Sequence, residues 1–95
     1  MQRAAVEINS AIEDVVRRQF DGTIITRVDV QEGEDHDGDS ALFVRVIFEG
    51  KPADLNGKRL KSITRFMRAR LFEMGENRFP YTRIIASSEF DEAAA

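Results

Sequence analysis

Ninety-five residues, 42% of them apolar, 33% charged and none cysteine, are enough for one domain and too few for several. The composition excludes a disulfide scaffold, a thiolate metal site and a cysteine nucleophile, and its apolar fraction excludes a disordered chain. Fourteen basic and seventeen acidic residues leave a net charge of −3, too balanced to name a partner.

No stretch reaches the roughly 18 consecutive apolar residues of a membrane helix. Glu7 and Asn9 interrupt what would be the apolar run of an export signal, so the cytoplasm is the expected compartment. One domain is expected over residues 1–91, with residues 92–95 as a frayed tail.

The first predicted element is a helix over residues 2–20. Ala5, Ile8, Ile12, Val15 and Gln19 recur at steps of three and four, with Ala11 and Val16 beside them. Glu13–Arg17 and Asp14–Arg18 are acid-before-base pairs on the far side. Gly22 suits the left-handed position that ends a helix.

Two strands follow. Ile24, Thr26, Val28 and Val30 alternate with Ile25, Arg27, Asp29 and Gln31, and Leu42, Val44, Val46 and Phe48 alternate with Phe43, Arg45, Ile47 and Glu49. Register decides the turn between them. A two-residue Asp37-Gly38 turn sets Val30 against Arg45 and buries an arginine. A three-residue loop, His36-Asp37-Gly38, sets Val30 against Val44, Val28 against Val46 and Asp29 against Arg45, with Gly38 left-handed. The second arrangement is expected.

A second helix is predicted to start near Asp54 as N-cap and to end at Gly75. Leu60, Ile63, Met67, Leu71 and Met74 form its apolar stripe. A last strand runs from Tyr81 to Ser88 behind Pro80, with Ile84 and Ala86 inward and Tyr81, Arg83 and Ile85 outward. The order α-β-β-α-β, with a crossover setting the last strand parallel to the second, predicts an α+β two-layer sandwich: a three-stranded sheet with both helices on one face.

One sheet face is then uncovered. Ile25, Phe43, Ile47 and Ile85 are expected there as a contiguous apolar patch, with Arg27, Arg45 and Arg83 setting register. Such a patch with a charged rim fits a protein–protein contact, first with a second copy as a homodimer and next with another protein. The second candidate surface is basic. From Asp54 to Glu73 six cations face two acids, a net +4, so the remainder carries −7 of the overall −3. Lys58, Lys61, Arg65 and Arg68 share one side of the helix, opposite its apolar stripe. They would bind nucleic acid or another anion, or else form a solvated or self-paired face in which Arg68 and Arg70 approach the hairpin acids.

Other chemistry is excluded motif by motif. Asp35-x-Asp37-Gly38-Asp39 steps its carboxylates by two, but placing Gly38 at position six of a calcium loop puts Val44 where a bidentate glutamate must stand. Gly50 to Arg59 has the spacing G-x₆-G-K rather than G-x₄-G-K, with Arg59 in place of the magnesium-binding Ser or Thr, so no nucleotide site is expected. His36 is the single histidine, on an open turn, and no metal, cofactor or enzymatic activity is expected.

The element order resembles that of KH-type RNA-binding domains, and that of the cytoplasmic domain ending cation-efflux transporters. The first resemblance implies RNA binding and the second implies dimerisation. KH domains grip RNA with a GxxG loop between two helices, which this chain lacks, and the transporter domain uses histidines for metal, where only His36 stands here. An RRM-like fold would need an additional first strand and more sheet aromatics than Phe43 and Tyr81. No site residue carries over from these families.

Overall fold

Helical periodicity from Ala5 to Gln19 and strand alternation from Ile24 onward divide the chain as expected. The computed structural model describes residues 5–89. The predicted start of the first helix and the tail at 92–95 lie outside these residues. The elements are α1 (Ala5–Gln19), β1 (Ile24–Glu34), β2 (Ser40–Glu49), a 3₁₀ turn (Pro52–Asp54), α2 (Gly57–Glu73) and β3 (Phe79–Ala86). The order is α-β-β-α-β and the class is α+β.

The sheet order is β1-β2-β3, with β2 central, antiparallel to β1 and parallel to β3. Val28 faces Val46, Val30 faces Val44 and Asp29 faces Arg45. The hairpin closes through the three-residue loop. Asp35 N–H donates to Asp39 O, Gly38 N–H donates to Asp35 O, and Gly38 has φ +83°. The helices pack against each other and onto one face of the sheet, α1 on β1 and α2 on β3. Ile8, Ile12, Val16, Ile63, Met67 and Leu71 meet Val28, Val44, Val46, Phe48 and Ala86 in the core. Ile84 packs against this core half-buried, so β3 faces the way its arginine dictated.

Three local expectations need correction, besides the last strand, which spans Phe79–Ala86 and not Tyr81 to Ser88. The alternation of β1 breaks at a bulge between Ile25 and Arg27, where the register shifts. Ile25 therefore pairs with Phe48 on the helix side, and Ile24 pairs with Glu49 on the open side. The second correction is Gly22, which is not left-handed. Positive φ is confined to Gly38, Gly50 and Gly75 among the described residues. Thirdly, Asn56 rather than Asp54 caps α2. Its Oδ1 accepts from the N–H groups of Lys58 and Arg59 at 3.0 and 3.2 Å. The Asp54 carboxylate is engaged by Lys51 N–H at 3.0 Å, closing the 3₁₀ turn.

At the other end of α2, Gly75 N–H donates to Phe72 O and Glu76 N–H to Leu71 O, with Gly75 at φ +78°. This is a Schellman closure, which only a left-handed residue completes without strain. Asn56→Ala is expected to cost about 1 kcal/mol, read as a lowered urea midpoint with unchanged slope.

Side chains of α1 also reach the free edge of β1. Asn9 Oδ1 accepts from Val30 N–H at 3.1 Å, and Arg17 Nη1 donates to Ile25 O at 2.9 Å. The two expected i,i+4 pairs of α1 form, with Arg17–Glu13 at 3.0 Å and Arg18–Asp14 at 3.4 Å.

Candidate protein interface on the open sheet face

Cross-strand partners share a face, so the register defines what the uncovered side presents. Phe43 stands beside Tyr81, Arg45 beside Asp29 and Arg83, and Ile47 beside Arg27 and Ile85. At the hairpin end, aromatic rings dominate. Phe43 stacks on Tyr81 with centroids 5.7 Å apart and planes 20° from parallel, and Phe79 tilts against Tyr81 at 4.7 Å. These three rings remain 38%, 37% and 38% exposed for Phe43, Tyr81 and Phe79. The Phe43 ring lies over Gly33, where a Cβ would meet its Cε2 at 2.9 Å. The glycine thus lets the ring lie flat along the strand.

Phe43 and Tyr81 wall a concavity of about 530 Å³ whose other sides include Asp29, Glu34, Asp35, Arg45 and Arg83. Asp35 organises the hairpin tip. Its Oδ1 accepts from Asp37 and Asp39 N–H, and its Oδ2 accepts from the Tyr81 hydroxyl at 3.2 Å. The Asp39 amide, followed by Asp37 and Tyr81, holds the Asp35 carboxyl below its ordinary pKa against the opposing effect of burial. Tyr81 is shifted up, by desolvation first and then by the charge of Asp35.

Asp29 lies between two guanidinium groups, with Arg27 Nε at 2.8 Å and Arg45 Nη2 at 3.1 Å from its Oδ2. Burial raises the Asp29 pKa, but the hydrogen bonds and charges of Arg27 and Arg45 outweigh it and hold the carboxyl down. Arg83 is different. It is exposed, and among the described residues no carboxylate lies within ion-pair distance of it.

The expected interface residues divide accordingly. Phe43, Arg27, Arg45 and Arg83 stand on the open face, and Ile85 stands there half-buried. Ile25 does not, because the bulge turns it into the core at 6% exposure. Ile47 points to the open side but retains only 3% exposure, so it offers a partner almost no surface. Ile24, expected inward, is exposed in Ile25's place. Phe79 joins the patch at the end of β3. Its two-residue spacing from Tyr81 was the available signal, since strand residues two apart share a face.

On α2, Lys58, Lys61, Arg65 and Arg68 are all exposed. The hairpin acids do not reach Arg68 or Arg70 as expected. Arg70 pairs with Glu73 at 3.6 Å, Arg68 sits over the Phe79 ring, and Glu32 pairs with Arg78 at 3.3 Å. Arg78 also holds Glu76 at 2.7 Å, a pair that no periodicity in the sequence announces.

Among the described residues, no helix is long and apolar enough to cross a membrane, and no group of three or more His, Cys, Asp or Glu side chains is placed to hold a metal. Comparison with protein-family models, curated proteins and solved structures found no match.

Proposed function

We propose that the protein is a non-enzymatic, cytoplasmic binding module that acts by protein–protein contact, pairing with a second copy through the open face of its sheet. The observation that carries this reading is the exposed trio Phe43, Phe79 and Tyr81 on the side the helices leave bare. Clustered aromatics of this kind anchor interfaces, and burying them supplies most of the association energy.

Charge complementarity favours a second copy. One concavity carries Glu34 and Asp35 on one side and Arg83 on the other. A two-fold axis through such a face brings the arginine of each copy to the acids of its mate. The same acids disfavour a phosphate-bearing partner on this side.

Sedimentation at micromolar concentration is expected to show a dimer. Phe43→Glu, at a partly exposed position outside the helix-covered core, should weaken it by at least about thirtyfold. A protein still monomeric near ~100 µM, or a Phe43→Glu variant that dimerises like the parent, would overturn the reading.

A further inference from the structure

The outer face of α2 points away from the sheet and meets the contact just described only at Arg68, whose guanidinium lies over the Phe79 ring. Along it, Lys58, Lys61, Arg65 and Arg68 occupy positions i, i+3, i+7 and i+10, one stripe opposite Ile63, Met67 and Leu71. Most of the described arginines elsewhere are answered, Arg59 and Arg83 excepted. Arg17, Arg18, Arg27, Arg45, Arg70 and Arg78 each meet a carboxylate. None of the four stripe residues does so among the described residues. Four exposed like charges on one helix repel one another, so the helix carries a small destabilisation that a bound polyanion would relieve.

The stripe also contains an aromatic. Phe72 follows Arg68 by four positions, lies on the same side and is 79% exposed, the most exposed large apolar side chain described. Core packing does not explain it, since α2 buries its opposite side. A bare ring in line with cations that meet no carboxylate is the arrangement that holds a single strand, phosphates on the cations and a base on the ring.

We infer that this face of α2 binds single-stranded nucleic acid. From Lys58 to Arg68 the helix rises about 15 Å, matching about four phosphates of a stacked strand at about 3.4 Å each. A lipid surface fits less well. The apolar side of α2 is spent on the core, and Phe72 alone would have to insert.

The test is titration of fluorescent oligo(dT) and oligo(U), about 20 nucleotides long, alongside a duplex of equal length and vesicles containing phosphatidylserine. Single strands should bind tighter than the duplex. The log–log salt slope should be near −2.8, a loss of about fiftyfold between about 50 and 200 mM salt. Arg65→Gln with Arg68→Gln should halve that slope, and Phe72→Ala should weaken single-strand binding about tenfold. Circular dichroism confirms folding of both, and Phe43→Glu should bind as the parent does, which separates this site from the dimer contact. Absence of oligonucleotide binding at about 50 mM salt, a slope unchanged in the double variant, equal affinity for duplex, or binding to vesicles alone would each overturn the inference.

Discussion

Replacing Arg78 with methionine is expected to destabilise the protein by about 3–5 kcal/mol, more than any surface charge change in the chain. The reason is the partner it would strand. Glu76 retains 5% exposure, and its carboxylate accepts from Arg78 Nε at 2.7 Å, Arg78 Nη2 at 3.1 Å and Arg78 N–H at 3.1 Å. Without the guanidinium, a carboxylate held beneath the α2–β3 turn has lost its counter-charge. Arg78 also reaches Glu32 on β1, so one side chain ties the helix closure to the far strand.

The same pair sets a pH dependence. The Arg78 hydrogen bonds hold Glu76 below its ordinary pKa, outweighing the burial that would raise it. A depressed folded-state value means the stabilisation is complete above the ordinary glutamate range near about 4.3 and is lost as acid titrates the group below it. Urea midpoints measured from about pH 7 to 3 should therefore fall on acidification, and the fall should be shallower in Arg78→Met. Equal pH profiles for the two proteins would remove this pair as the cause.

Phe48→Ala is the second large effect, with a loss of about 3–5 kcal/mol expected. Phe48 is the largest fully buried side chain. It lies on the central strand between Ile25 and Ala86, 1% exposed. A chain of this length has about 5–15 kcal/mol to lose, so the variant should melt more than about 10 °C lower. Phe72→Ala supplies the internal comparison. The same deletion at a 79% exposed site should change stability by less than about 0.5 kcal/mol. Similar losses at both positions would contradict the burial described above.

The fold was legible because its signals agreed across levels. The Val30–Val44 register, the Gly38 turn and the inward Ile84 each followed from keeping arginines out of the core. What was not legible lay where the sequence offers two equal candidates. Ile24 and Ile25 are chemically identical neighbours, so a bulge that exchanges their faces leaves no trace in the hydropathy pattern. Asp54 and Asn56 are both good caps, and only the Lys51 turn, which engages the former, leaves the latter to α2.

The candidate site was legible at Phe43 and the three arginines for the same reason as the strands. Ile47 shows the limit, since alternation gives direction but not cover. Arg78 escaped notice because a buried ion pair between residues two apart has no periodic signature. Only its position just past Gly75, before a strand, marked it.

The grip of α1 on β1 has a consequence for growth. Two of the hydrogen-bonding groups a newcomer strand would need there, the amide of Val30 and the carbonyl of Ile25, are already occupied by Asn9 and Arg17. A strand adding at β1 would first have to displace both side chains, which disfavours lengthening of the sheet from that edge. Copies pairing through their open faces, with this edge guarded, would stop at two instead of lengthening strand by strand into a fibre.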